Sequence, residues 1–453
     1  MFEQHLFPAI SQPVSGSIIY EHIRILFPIL RSITGKGIRQ TLEYVANQIQ
    51  DFSIVSIPSG TPLFDWMVPD EWNVNSAKII DTSGKIVLDL NWSTLHILQY
   101  SQPFHGTLSR KDLEEHLFTL PDYPDFIPYK TSYYTENWGF CLSENQKKKL
   151  TDLHYTVEID ATLSSGSLTY GEVLIPGISQ EEFVFSIHCC HPSLANDNLS
   201  SLAIAIELIR KLQSLPQRRL SYRFLFVPGT IGSIAWLAQN TEKTKNIKNG
   251  LVLSCLGDKG SFTYKKARED SANINTIMAK IFSDHPKARI WEFEPYGYDE
   301  RQYCSPGFNL PVGCLMRSPN GTFPEYHTSA DNLDFVTPCA LEESLCVLLD
   351  LITITENALY PVSTSPYGEP QLGKRGLYPL SPNISKADHT KNDMPDQLCL
   401  LWVLNLADGK NSILDIAVRS KKSFRAILSA IELLQEADLL KLYSDKQQNA
   451  FSP

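Results

Sequence analysis

The sequence predicts an α/β protein: a sheet with helices on both faces, interrupted by a β-rich insertion and followed by a small winged helical unit. Three observations predict it. Apolar runs of strand length alternate with amphipathic helical stretches over residues 154–360. Residues 58–139 are instead dense in Trp, Tyr and Pro, with short alternating runs such as Lys85-Ile86-Val87-Leu88-Asp89-Leu90. The final segment holds three helix-length patterns and one short apolar run.

Each element has its own signal. Tyr20, Ile23, Leu26, Phe27 and Leu30 form one apolar stripe of a first helix. The run Thr34-Gly35-Lys36-Gly37 breaks it, and a second amphipathic helix is expected from Ile38 to Ile49. Tyr155–Ile159, Leu168–Ile175, Phe183–Ile187, Tyr222–Val227 and Leu251–Leu256 read as strands. Ser200–Leu212, Ser233–Asn240, Asn273–Ser283 and Leu341–Ala358 read as helices. A Pro-, Ser- and Gly-rich stretch from Tyr360 to Asp393 reads as a linker. Beyond it, Asp396–Leu406, Ser412–Ser420 and Ser423–Glu436 are expected helices, with a turn at Asp408-Gly409. Asp438–Tyr443 is an expected short strand, which completes the order of a winged helix-turn-helix. The expected domains are residues 1–57 with 140–365, an insertion over 58–139, and a winged helix over 371–453.

Composition narrows the function classes. Of 453 residues 43% are hydrophobic and 20% charged, as in a globular protein. The net charge of −10 argues against a general nucleic-acid binder. No early stretch has the pattern of a secretory signal, and no run approaches the roughly 20 apolar residues of a membrane span. The nine cysteines form no CxxC pair, which suits buried thiols in a reducing compartment and a cytoplasmic address. Residues 371–453 carry 11 Lys and Arg against nine Asp and Glu, a local +2 that leaves −12 on the remainder. Lys410, Arg419, Lys421, Lys422 and Arg425 cluster there. A solvated basic face or a protein-docking surface fits this modest charge better than operator binding. Protein or nucleic-acid contact through 371–453 stays open, as does self-association.

The chemistry-bearing residues lie at loop positions. His188-Cys189-Cys190-His191-Pro192-Ser193-Leu194-Ala195-Asn196-Asp197-Asn198 follows directly on an apolar strand, where α/β sheets place ligands. Two imidazoles and a carboxylate offer the nitrogen and oxygen donors that zinc prefers. Much later, Glu325-Tyr326-His327-Thr328-Ser329-Ala330-Asp331 forms a polar, aromatic loop before a long helix. Spacing alone leaves the bland readings equally open: a lone histidine packed in the core, and Asp197 capping the Ser200 helix.

The order of motifs weighs against those readings. His…Asp-Asn, Val-Pro-x-x-x-Gly-Ser, Asp-x-x-x-Tyr, Gly-Phe-x-Leu-Pro and Tyr-His-Thr-Ser-Ala-Asp follow one another through His191–Ser201, Val227–Ser233, Asp299–Val312 and Glu325–Asp334. This order resembles the co-catalytic zinc aminopeptidase superfamily. More closely, it resembles a bacterial aminopeptidase-like group with an inserted β domain and a C-terminal winged helix, often linked to polysaccharide biosynthesis. The run Phe64–Trp72 is similar to the start of that insert. The resemblance implies a mixed-sheet, phosphorylase/hydrolase-like fold and a peptide, amide or other small-molecule substrate. It implies zinc ligation by His191, Asp197 and His327, with His188 as the alternative first ligand.

Two departures from that pattern stand out. Active aminopeptidases place a general base after the next strand, where it takes a proton from the attacking water. The closer group has glutamate where this chain has Gly229. The next expected ligand, an aspartate near Ser254 or Cys255, is missing, and Asp258 falls a few residues late, as an ordinary turn residue would. One zinc ion is therefore expected rather than two. Glu325 or Asp299 is the candidate base, and Tyr326 the candidate donor to an oxyanion or else a packing residue. The resemblance places Tyr298, Arg301 and Gln302 in the substrate pocket. Arg301 would clamp an anion or pair with Glu300.

Overall fold

The computed structural model describes residues 5–8, 14–377 and 397–447. Helices α1 (Gly16–Leu26) and α2 (Lys36–Ala46) form where the apolar stripes predict them, burying Ile19, Ile23 and Leu26, and Ile38, Leu42 and Val45. Gly35 separates them at φ +91°, a left-handed conformation that a side chain resists.

The strands follow in chain order. β1 (Ser53–Pro58) precedes three strands of the insertion: β2 (Glu71–Ile80), β3 (Ile86–Asp89) and β4 (Phe104–Ser109). Then come β5 (His154–Ser164), β6 (Ser167–Ile175), β7 (Glu182–His188), β8 (Ser221–Val227) and β9 (Ile247–Leu253). The short strands β10 (Thr263–Lys265) and β11 (Arg289–Trp291) precede β12 (Val312–Met316). The main sheet has the order β1-β6-β8-β7-β9-β12-β10-β11, parallel through β8-β7-β9-β12 and at the outer pair β10-β11, and antiparallel at β1-β6, β6-β8 and β12-β10. It is thus the expected mixed α/β sheet.

Every residue of β7 and β8 is buried, the continuous apolar reading of a central parallel strand. Phe185 packs on Phe183 and on Phe224 of the neighbouring strand, both with ring centroids 4.7 Å apart. Such pairs contribute about 0.5–1.5 kcal/mol each beyond their burial. The helices α3 (Ser201–Ser214) and α4 (Ile231–Gln239) follow β7 and β8.

The main-sheet strand β1 ends at Pro58, but the sheet of the insertion runs past the expected boundary at 139. A separate sheet of order β3-β2-β5-β4 takes its central strand, β5, from residues 154–164, paired with β2 from Glu71↔Ser164 to Ile80↔Thr156. The alternating pattern at Tyr155–Ile159 marks a strand correctly but carries no information on which sheet receives it.

The protein forms two compact units, one of residues 13–275 with 287–346, the other of residues 1–12, 276–286 and 347–453. Both sheets described so far belong to the first. In the second, Tyr360–Ser363 pairs antiparallel with Leu440–Tyr443. The expected linker therefore begins with a strand, and the winged helix starts before 371. Residues 378–393 of that expected linker lie outside the described residues. The helices Gln397–Leu406, Ile413–Ser420 and Phe424–Glu436 follow. Ser412 and Asp415 form a capping box at the second of them, and Ser423 caps the third. Among the described residues no helix is long and apolar enough to cross a membrane.

Candidate metal centre

His188 ends β7 in register with Val227, so the chain leaving β7 and the chain leaving β8 open on the same edge of the sheet. That carboxyl edge is where open α/β sheets hold ligands. Residues Ala195–Ser200 then form a kinked segment before α3, with non-helical backbone at Asp197 and Asn198. Asp197 lies in it, but it does not cap α3.

Asp197 is wholly buried between two imidazoles. Its Oδ1 is 2.7 Å from His188 Nε2 and its Oδ2 is 3.1 Å from His327 Nε2. The His191 ring lies 4.9 Å from that of His188 and 5.1 Å from that of His327, centroid to centroid. One ligand atom each from His188, His191 and Asp197 falls within 4.8 Å of the others. The structure thus brings together all three expected ligands and the alternative one.

Hydrogen bonding separates the four. The Asn198 amide nitrogen reaches the carbonyls of His188 and Leu253 at 3.2 and 3.0 Å, and its Oδ1 accepts the Cys255 N–H at 3.2 Å. The same nitrogen faces His188 Nδ1 at 3.1 Å, so that ring atom is assigned as the acceptor. The His188 proton then sits on Nε2 and is donated to Asp197. By contrast, His191 Nδ1 is buried with no hydrogen-bond partner among the described residues, and Asp197 Oδ2 and His327 Nε2, also buried, have only each other, at 3.1 Å. Leaving such a group unpaired costs about 1–3 kcal/mol. Two imidazole nitrogens and a carboxylate oxygen are the donors a divalent cation takes, and the residues present fit one ion.

The electrostatics prepare the same state. Burial pushes His191 well below the ordinary histidine value and lowers His188, so both rings are neutral. Burial alone would raise Asp197, but the histidines packed around it, with hydrogen bonds from His188 and His327, hold it well below the usual carboxylate range. Neutral imidazoles around an ionised carboxylate are ready for a cation.

Other groups fix the loops. Asp331, fully buried, accepts the N–H groups of Asn196 and Asp197 at 2.6 and 2.9 Å. His327 stands at φ +55°, a conformation that costs a non-glycine residue about 1–3 kcal/mol. Its carbonyl accepts the Tyr129 N–H at 2.8 Å, and the Tyr129 ring edge meets both His191 and His327, at 5.0 and 5.1 Å. The Tyr326 ring stacks on that of His327, with centroids 4.0 Å apart. Arg31 is buried and donates through Nε to the His191 carbonyl at 2.7 Å. Desolvation pushes its guanidinium down to about 10. Arg31 and Tyr129 carry no sequence signal. Asp331 does, as the last residue of the Tyr-His-Thr-Ser-Ala-Asp run.

Several expected site residues stand elsewhere. Asp258 is buried and engaged by Asn196 Nδ2 and the Ser318 hydroxyl, both at 2.8 Å, so it braces loops instead of offering a ligand. Asp299 is wholly buried beneath the site, and burial with the neighbouring Glu300 pushes its carboxyl up to about 8. It is protonated at neutral pH and no ready base. Glu300 is the ion-pair partner of Lys265, not of Arg301. Gln302 lines a 490 Å³ groove with Phe64, Trp66, Leu237 and Phe308, away from the ligands. The Glu325 carbonyl accepts from the Thr328 N–H and hydroxyl at 3.1 and 2.8 Å. Tyr298 does reach the site: its ring lies 3.7 Å from that of His188, and burial raises its phenol well above the ordinary value. Burial likewise raises the thiols of Cys189 and Cys190, the latter to about 12, and none of the nine cysteines, all among the described residues, forms a disulfide.

Residues 20–358 match a family model described as a domain of unknown function, DUF4910. The chain belongs to this family. Residues 360–442 match a winged helix-turn-helix model. A relative from Clostridium acetobutylicum is named as a proposed polysaccharide biosynthesis protein with an aminopeptidase-like domain. It is 46% identical over 430 residues, which span 94% of this chain and 97% of the relative. The crystal structure of a proposed peptidase from C. acetobutylicum superposes with a TM-score of 0.88 at 44% identity, covering 94% of this chain and 96% of that one. A zinc aminopeptidase from Bacillus subtilis superposes with a TM-score of 0.57 over 76% of this chain and 95% of its own, at 12% identity. That last likeness is one of fold. The aminopeptidase-like fold and the winged helix expected from the motifs are both present.

Proposed function

We propose that this DUF4910 protein is a cytoplasmic, zinc-dependent, aminopeptidase-like hydrolase that acts on a peptide or amide bond, in polysaccharide biosynthesis as its C. acetobutylicum relative is named. One observation carries the reading. At the sheet edge the buried and unpartnered His191 Nδ1 lies beside Asp197 Oδ2 and His327 Nε2, which face each other at 3.1 Å, and all three belong to residues the motifs single out.

These three side chains would hold the ion. His188 donates to Asp197 Oδ1 and keeps the other oxygen turned to His327. Asp331 and Arg31 hold the backbone on either side of Asp197 and at His191. Zinc supplies Lewis acidity for an amide carbonyl. Catalysis also needs a base, and Asp299 is protonated near neutral pH, which leaves Glu325 as the candidate among the acids considered.

The test joins metal and turnover. Protein purified without chelator should contain about one zinc per chain and hydrolyse some member of a panel of aminoacyl amides and dipeptides. Absence of zinc, with thermal stability indifferent to EDTA, contradicts the reading.

A second reading, a catalytically impaired protein that binds its ligand without turnover, is favoured by Gly229, where no side chain can act as base. Zinc uptake with no hydrolysis across the panel would select it.

A further inference from the structure

Gly229 and Tyr298 occupy one space. Gly229 follows β8 at the edge where His188 ends β7. A Cβ added at Gly229 would collide with the Tyr298 hydroxyl and lie 2.5 Å from ring atoms Cε1 and Cζ. The Tyr298 ring is held in place by stacking on His188, 3.7 Å between centroids at 30°. Its centroid lies 6.3 Å from that of the His191 ring. The hydroxyl therefore stands where a side chain from position 229 would begin, beside the groups that bear the ligand atoms.

We propose that Tyr298 and Gly229 form a matched pair, in which the missing side chain at 229 admits the Tyr298 hydroxyl as the hydrogen-bond donor to a carbonyl oxygen of the substrate. This rests on the cation reading of His191, Asp197 and His327. A phenol hydroxyl donates one hydrogen bond, and in a buried site that bond favours a carbonyl oxygen as its charge grows. The pair makes position 229 structurally unable to carry a base while Tyr298 is present. Restoring glutamate at 229 alone would displace the tyrosine instead of completing the site.

Two measurements on the full chain test it. Zinc affinity and leucine hydroxamate affinity are measured by calorimetry for wild type and Tyr298→Phe, which keeps the ring on His188. Tyr298→Phe should bind zinc within about twofold of wild type, and the zinc-loaded variant should bind the hydroxamate about three- to tenfold more weakly. Equal hydroxamate affinity, or no hydroxamate binding by zinc-loaded wild type, overturns the donor role. No zinc uptake by wild type instead overturns the cation reading beneath it. Thermal melting tests the pairing itself. Gly229→Ala should melt lower than wild type, and Tyr298→Ala should be insensitive to the added Gly229→Ala. An equal drop from Gly229→Ala in both backgrounds overturns the pair.

Discussion

The Asp331 carboxylate accepts the backbone N–H of Asp197 at 2.9 Å, and so ties two loops that lie far apart in the chain. One loop carries Asp197 and the other, four residues before Asp331, carries His327. The same buried side chain also accepts from Asn196 at 2.6 Å, and the Asp331 carbonyl accepts the Ala195 N–H at 3.1 Å.

Asp331→Asn replaces one accepting oxygen by a donor that faces backbone N–H. Zinc affinity is expected to fall about 10- to 100-fold, the usual range for groups that position a ligand. Calorimetric titration checks it, and an unchanged affinity would show that the loops meet without this clamp.

His188 is expected to behave as an orienting group. Its Nε2–H bonds Asp197 Oδ1 and its Nδ1 accepts from Asn198. His188→Gln should weaken zinc about 10- to 100-fold while leaving one ion per chain, whereas His191→Ala should abolish stoichiometric uptake. The reverse ranking would make His188 the ligand.

Asp299 gives a pH signature. Its carboxyl is pushed up to about 8 from an ordinary value of 3.8, chiefly by burial. Between about pH 4 and 8 the folded chain holds a proton that the unfolded chain has lost. The stabilisation is therefore complete below about pH 4 and is lost as pH rises towards 8. Asp299→Asn cannot ionise, so its melting temperature relative to wild type should rise from pH 5 to pH 8.5. A constant or falling difference contradicts the burial argument.

The winged helix is expected to bind duplex DNA poorly. The exposed face of the Phe424–Glu436 helix presents Glu432, Leu433 and Glu436, and Arg425 is bonded to Asp350 at 2.8 Å. A helix reading the major groove would offer donors and positive charge there. Retardation of a duplex by the full chain at about 50 mM salt, abolished by raising salt, would reverse this expectation.

Much of the fold was legible because strand and helix periods are local properties. β7, β8 and α3 could be read from Phe183–Ile187, Tyr222–Val227 and Ser200–Leu212 to within a few residues. Sheet membership was not, since β5 and β6 are adjacent in sequence yet enter different sheets. The candidate ligands could be named because imidazole and carboxylate are rare in buried loops and their order resembles a known pattern. The choice between His188 and His191 was not, because it turns on the hydrogen bonds of Asn198. Arg31 acts through a backbone carbonyl 160 residues away, a contact no sequence spacing encodes. Asp299 and Gln302 sit beside pocket-forming residues in sequence but face, respectively, the interior and another groove.

The most direct test is a zinc titration of chelator-treated full chain by calorimetry, repeated for His191→Ala, Asp197→Asn and His327→Ala. One ion per chain for wild type, with at least a 100-fold loss of affinity in each variant, is the expected result. Absence of binding by wild type, or binding indifferent to all three substitutions, would contradict a cation held by these residues.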